Sequence, residues 1–337
     1  MNIDCIIPKN VLQILKTNQG IGRKKLAELA NISISKARTY VAIWKNLEKK
    51  TAIEKNEEPY FFDKKIKENV DWREIFRNLE TTQIIHKKLS TSQDEATIKL
   101  TKKSIILFSA DWHLGSVATD YKEFQYNIEK LLETDNCYLI TVGDLIDNFR
   151  KFYSLEAIFS QIATPKMQKE ILQSLYDELT KKRKWLAGCW GDHDVMWDEK
   201  IFGQSPVKEL LAKKIVYFNG KGVLHLLVGE QKYEIVLSHK LLGNSIYNPN
   251  HPQNRESKWY HPEADLIVSA HKHNPAVQNI YQYGRRKCFI QVGTFKIDDG
   301  YSKRFWEEGI IGVPAVTFDN KRHEVFAYPS LGAYLDK

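Results

Sequence analysis

The chain has 337 residues, 42% of them hydrophobic, eight tryptophans and a formal charge of +8, enough for more than one domain with well-packed cores. No run approaches the ~18 uninterrupted apolar residues of a membrane span, and residues 1–9 lack the charged start and apolar core of a secretory signal, so no membrane partner is expected. Four scattered cysteines, Cys5, Cys137, Cys189 and Cys288, form no CxxC pair, which argues against a disulfide framework or zinc ribbon and fits reduced thiols in a cytoplasmic protein.

Residues 1–50 hold ten Lys and Arg against three acids, a net +7 out of the chain's +8. A basic head on a nearly neutral body suits a polyanionic partner, although a Lys-rich solvated surface gives the same count. Pro8 is placed to open a first helix with Val11, Leu12 and Leu15 on one side. A second helix is expected over about 23–30, its apolar face Leu26, Ala27 and Ala30, and a third over 35–47, with Ala37, Val41 and Trp44 on one face. This order resembles a helix-turn-helix of the winged or resolvase-like sort, with 34–44 as recognition helix. The resemblance implies groove contacts by Lys36, Arg38 and Thr39 and phosphate contacts by Arg23, Lys24 and Lys25. A three-helix bundle serving oligomerisation, for instance in a homodimer, has the same apolar periodicity.

Residues 51–100 read as a connection. The stretch 54–59 is polar and breaks helix. Trp72, Ile75, Phe76 and Leu79 recur at helical spacing within 71–89, which predicts an amphipathic helix whose stripe packs in a core. A loop over 91–95 and an edge strand over 97–100 follow. There is no internal repeat or low-complexity tract. The expected domains are a head at 1–50, a linker at 51–100 and a larger domain at 101–337.

Five short apolar runs in that larger domain, 105–110, 138–142, 185–190, 235–238 and 266–270, read as buried strands. Directly behind them come Asp111-Trp-His113, Gly143-Asp144-Leu-Ile-Asp147, Gly191-Asp192-His193-Asp194, His239 and His271-Lys-His273. Ends of successive strands lie side by side along one edge of an open α/β sheet, so these side chains are delivered to one place. A structural alternative, loop carboxylates and core histidines with ordinary partners, does not account for five motifs in order.

The series resembles the calcineurin-like metallophosphoesterases over roughly residues 101–300, whose pattern is D-x-H, GDxxD, GNH with a following acid, a lone His and GHxH. The resemblance implies an α/β sandwich of two mixed sheets flanked by helices, behind the small all-α head. It also implies two divalent ions, one held by Asp111, His113, Asp144 and His273, the other by Asp144, Asp192, His239 and His271. Such mixed carboxylate and imidazole ligation suits Mn²⁺ best, with Fe²⁺ or Zn²⁺ as alternatives. His193 is implied as the histidine that meets the scissile phosphate and protonates the leaving oxygen, and Asp147 as the acid that orients it. Asp194 shares that role, orients a metal ligand or stabilises the loop.

This chain departs from the pattern twice. Asp192 stands where the family has Asn, which adds a third carboxylate and predicts tighter metal binding. Ala270 replaces the glycine of the last motif, tolerable if its φ is negative. After the second motif come Asn148 and Phe149, with Arg150 one position late for the phosphate-gripping Arg of the protein phosphatases. The stretch 240–270 between the last two motifs mixes amides, cations and aromatics. Arg255 and Lys258 are its expected substrate contacts, and Lys296 is placed to approach the same site. His86, His225, His251, His261 and His323 fall outside the motifs and read as surface or core residues.

Together these features predict a two-metal phosphodiesterase acting on nucleic acid, DNA rather than RNA, similar to double-strand-break repair exonucleases. Two other readings share the motifs. One is a phosphomonoesterase or cyclic-nucleotide phosphodiesterase placed on DNA by its head. The other is a DNA-binding regulator with a structural metal site.

Overall fold

The computed structural model describes residues 7–54, 71–89, 94–148, 158–297 and 309–336. Cys5, the breaker at 55–59, the start of the loop at 91–93, and Phe149 and Arg150 lie outside them. Contacts divide the chain into two units, Met1–His86 and Lys87–Lys337.

In the first unit, helices α1 (Lys9–Thr17), α2 (Arg23–Ala30) and α3 (Ile34–Glu54) enclose a small core built on Ile7, Val11, Leu15, Leu26 and Ala37. The expected inward faces are the observed ones. α2 stops at Asn31, whose left-handed φ of 50° returns its N–H to the carbonyls of Ala27 and Glu28. α3 runs past the expected end at 47, because no Gly or Pro interrupts the sequence before Pro59. A fourth helix, α4 (Trp72–Leu89), is also present, but its stripe is not core: Trp72, Phe76 and Leu79 are 55%, 62% and 58% exposed. Helical periodicity fixes which residues share a side, and says nothing of whether another element covers it.

The second unit holds two six-stranded sheets. One has the order β1 (Glu95–Leu100), β6 (Gly222–Val228), β7 (Gln231–Ser238), β8 (Leu266–Ser269), β10 (Arg285–Gln291), β9 (Ala276–Gln282). The other runs β12 (Val325–Tyr328), β11 (Ala315–Phe318), β2 (Ser104–Ser109), β3 (Cys137–Thr141), β4 (Trp185–Cys189), β5 (Val216–Phe218). β1 takes the edge position expected of 97–100 and pairs parallel with β6, so this part of the connection belongs to the body's sheet.

Strand alternation sorts the apolar side chains into two layers. Ile106 and Phe108 of β2 and Ile140 of β3 point inward against Leu224, Ile235, Leu266 and Ile290 of the facing sheet. Ile105 and Leu107 point the other way, into a second core with helices α5 (Tyr121–Glu133) and α6 (Pro165–Lys181). Shorter helices α7 (Trp197–Phe202), α8 (Pro206–Leu211), α9 (His251–Trp259) and α10 (Leu331–Leu335) complete the unit. This is an α/β sandwich of two mixed sheets flanked by helices. β2, β3 and β4 are neighbours and parallel, as are β7, β8 and β10, so every motif leaves the C-terminal end of a parallel strand. Cys137, Cys189 and Cys288 are buried thiols. Among the described residues no helix is long and apolar enough to cross a membrane.

Candidate metal centre

The motif loops turn sharply as they leave their strands. Asp111, His113, Asp144, His271 and His273 have φ of 50°, 44°, 54°, 72° and 56°, so five of the seven candidate ligands sit in the left-handed region that residues with side chains rarely occupy. Backbone bonds between loops hold them there. The N–H groups of Asp111 and His113 donate to the carbonyls of Gly143 (3.0 Å) and Asp144 (3.2 Å), and Phe295 N–H donates to Asp111 O (3.1 Å). Thr294 Oγ1 donates to the same Asp111 carbonyl at 2.8 Å. Ala270 is outside this strained set, which leaves the Gly-to-Ala departure without steric consequence.

Three groups result, Asp111 with His113 and His273, Asp144 with His239 and His271, and His113 with Asp147 and His193, the ligand atoms of each within 4.8 Å of one another. In the first, Asp111 Oδ1 lies 3.4 Å from His273 Nε2 and 3.9 Å from His113 Nε2. That oxygen is buried and has no hydrogen-bond partner. An unpaired carboxylate oxygen beside two imidazole nitrogens that lie 3.3 Å from each other fits a cation. In the second group, His239 Nε2 lies 3.1 Å from Asp144 Oδ2 yet makes no hydrogen bond of acceptable geometry. His239 Nδ1 is engaged by the Val142 carbonyl at 2.7 Å, which assigns the proton to Nδ1 and the ligand lone pair to Nε2.

Asp192 stands at the rim of this second group. Its Oδ2 is 3.8 Å from His271 Nδ1 and 2.8 Å from Lys240 Nζ. The third carboxylate expected from the sequence is therefore charge-balanced by Lys240, which offsets the tighter metal binding that an extra negative charge predicts.

Asp147 differs from expectation. Its carboxylate Oδ1 takes His113 Nδ1 and Lys296 Nζ, each at 3.1 Å, and its main-chain carbonyl takes His193 Nδ1. The side chain thus orients a candidate ligand, while the backbone orients His193. Burial alone would lift the Asp147 carboxyl, but the His113 hydrogen bond and the Lys296 charge bring it down to about 2. Lys296 is only 4% exposed. His193 is further fixed by its own N–H, which donates to Asp144 Oδ1 at 2.8 Å. Asp194 accepts the N–H groups of Leu145 (2.8 Å) and Ile146 (3.1 Å), so of its expected roles the loop-stabilising one is the one observed.

These shifts set the stability of the metal-free protein against pH. Burial lowers His113 to about 4 and depresses His271 as well. Below about 6.5 the unfolded chain takes up protons that both refuse, so stability falls with acid. Burial opposes protonation of His239, yet the Asp144 carboxylate outweighs it and raises the ring to about 10. Its contribution is complete below the unfolded value near 6.5 and is lost as pH rises toward 10. Asp194, raised by burial and by Asp144, offsets one of the two histidines on the acid side and adds to the loss above it. The melting temperature in EDTA is therefore expected to peak near pH 6.5. A profile still rising at pH 8 would contradict these assignments.

Of the expected substrate contacts, Arg255 lines a cleft of about 470 Å³ that shares Asp192 and His239 with the second ligand group. Lys258 does not; its ammonium lies 5.2 Å from the Trp259 ring centroid. In the first unit Arg23, Lys24, Lys25, Lys36, Arg38 and Thr39 are all exposed, and Arg23, Arg38 and Lys45 line a shallow pocket of about 360 Å³. Of the other histidines, His225 faces Glu95 at 3.7 Å, His261 faces Glu256 at 3.5 Å and His323 faces Asp265 at 2.9 Å.

A family model described as calcineurin-like phosphoesterase matches residues 105–287. No curated protein matches the chain. Among solved structures it is similar to a conserved uncharacterized protein from Streptococcus pneumoniae, at 14% identity and a TM-score of 0.33, over 68% of this chain and 91% of the other. It is also similar to the Pseudomonas putida nuclease MPE, at 14% identity and a TM-score of 0.30, over 66% and 87% of the two chains. A third is the Haemophilus influenzae NAD nucleotidase, at 10% identity and a TM-score of 0.33, over 68% and 49%.

Proposed function

The chain belongs to the calcineurin-like phosphoesterases, and from that premise we propose that it is a two-metal phosphodiesterase that cleaves nucleic-acid backbones, DNA in preference to RNA, in a reducing cytoplasm. The observation that carries the reading is the pair of candidate ligand groups, each with a buried carboxylate, a buried imidazole and a partly buried one, next to His193. Asp111, His113, Asp144 and His273 would hold one ion, and Asp144, His239, His271 and Asp192 the other, with Mn²⁺ the best match and Fe²⁺ or Zn²⁺ next. Such ions, when bound, neutralise the phosphate and supply a nucleophile at neutral pH.

The chain's own residues do the rest. His193, with Nδ1 committed to the Asp147 carbonyl, offers Nε2 as the atom that hands a proton to the leaving oxygen. Asp147 and Lys296 lock the His113 ring, so that its Nε2 lone pair faces Asp111. Arg255 is placed to take a phosphate flanking the scissile one. The exposed cations of α2 and α3 support a polyanionic partner for the head, with Lys36, Arg38 and Thr39 toward the groove and Arg23, Lys24 and Lys25 on phosphates.

The test is incubation of the protein and Mn²⁺ with end-labelled single- and double-stranded DNA and RNA. Cleavage of DNA, abolished by EDTA, is expected. Intact nucleic acids with Mn²⁺, Fe²⁺ and Zn²⁺ alike, alongside hydrolysis of para-nitrophenyl phosphate, would replace this reading with a phosphomonoesterase.

A further inference from the structure

The cleft beside the second ligand group is built from two kinds of residue. Its aromatic wall comes from Trp190 and Tyr260, and Lys240, Lys221 and Arg255 bring three cations to it. Trp190 follows β4 directly, its N–H fixed to the Phe218 carbonyl at 3.2 Å, and its indole lies against Gly220, where a Cβ would come within 3.0 Å of Nε1. The ring is thus held between the Gly220 backbone and the core side chains it packs against. The cations are not equivalent. Lys240 is committed to Asp192 at 2.8 Å and Lys221 to Glu256 at 2.7 Å, whereas Arg255 makes no ion pair or side-chain hydrogen bond among the described residues.

A pre-positioned aromatic face, an uncommitted guanidinium and a volume in the range of small-molecule sites, all adjoining His239 and Asp192, form a site for a flat ring attached to a phosphate. We propose that this cleft is a nucleoside subsite: it takes the base of the nucleotide next to the scissile phosphate, stacked on Trp190 with the Tyr260 ring, over which Lys221 Nζ lies at 5.4 Å, at its edge, while Arg255 pairs with a phosphate oxygen. The inference rests on the phosphodiesterase reading and narrows its substrate. A base can enter a walled cleft only when it is out of the duplex stack, so the substrate is a strand whose terminal or flanking base is unpaired. Stacking is tolerant of sequence, so any of the bases would serve, purines more tightly for their larger ring.

The test measures binding in EDTA, where no hydrolysis interferes. Tryptophan fluorescence and calorimetry compare deoxyadenosine 5′-monophosphate with 2-deoxyribose 5-phosphate and inorganic phosphate. The nucleotide is expected to bind at least about tenfold more tightly than the sugar phosphate. Trp190→Ala should remove most of that margin, Trp190→Phe should keep it, and Tyr260→Ala, at a residue 57% exposed and so safe for folding, should reduce it. Equal affinity for nucleotide and sugar phosphate, or a margin that survives both alanine changes, overturns the subsite. The two readings fail separately. Base-dependent binding without cleavage by any metal would leave the subsite and remove the hydrolase, whereas equal cleavage of abasic and intact single strands would do the reverse.

Discussion

Replacing Asp144 with Asn is expected to lower metal-dependent phosphodiester hydrolysis by on the order of a thousandfold, because several kcal/mol of charge stabilisation at the ions is removed. The side chains are nearly the same shape, so the loop should survive. Oδ1 can still accept the His193 N–H that now donates to it at 2.8 Å, and the Asp144 carbonyl still receives His113 N–H at 3.2 Å. What changes is the other oxygen, which lies 3.1 Å from His239 Nε2. An amide there supplies no negative charge to a cation, and it removes the carboxylate that holds His239 at about 10. Two readouts should therefore move together. Metal content by mass spectrometry should fall from two ions to one or none, and the loss of stability of the metal-free protein between pH 6.5 and 10 should flatten. A variant that keeps both ions and full turnover of bis-para-nitrophenyl phosphate would remove Asp144 from the centre of the account.

The parts of this site that could be read from the chain are those in which a local pattern carries the information. An apolar run ending in a ligand pair marks a buried strand and the turn beyond it, and β2, β3, β4, β7 and β8 all lie where such runs predicted. The candidate ligands are the residues directly behind those runs. What could not be read depends on which atom of a residue meets which neighbour. Asp147 was assigned to His193 by its place in the motif, and it does serve His193, but with its carbonyl; its carboxylate belongs to His113 and Lys296. Lys240 follows His239 directly, and nothing in that adjacency tells that its ammonium reaches Asp192, 48 residues away.

The stretch 240–270 carries a helix-start signal. Asn250-His251-Pro252 has a favoured N-cap residue with proline in the first turn, and α9 begins there. With the helix in place, Gln253, Glu256 and Ser257 turn inward, and of the two cations only Arg255 lines the cleft.

Gly191→Ala is expected to damage both the fold and the chemistry, for a reason that lies in the backbone. A Cβ at this position would stand 2.0 Å from Asp144 N, 2.3 Å from Asp144 Oδ1 and 2.8 Å from the Gly143 carbonyl carbon. The loops that follow β3 and β4 touch there main chain to main chain, so there is no flexible side chain to yield. Forcing them apart should cost about 3 kcal/mol, the upper part of the range for overpacking, or roughly 6–12 °C of melting temperature for a unit of this size. The bond from His193 N–H to Asp144 Oδ1 crosses this contact, so the proposed proton donor and a proposed ligand shift relative to each other, and a misplacement of about 1 Å costs on the order of a hundredfold in rate. Gly284→Ala separates sterics from backbone strain. Gly284 has a positive φ, 77°, which Gly191 lacks, and nothing stands within 4 Å of its added methyl. That change should cost only about 1–2 kcal/mol and leave turnover as it was. If the two variants melted together and hydrolysed bis-para-nitrophenyl phosphate equally well, the close approach of the Gly143 and Gly191 loops would have no part in assembling the centre.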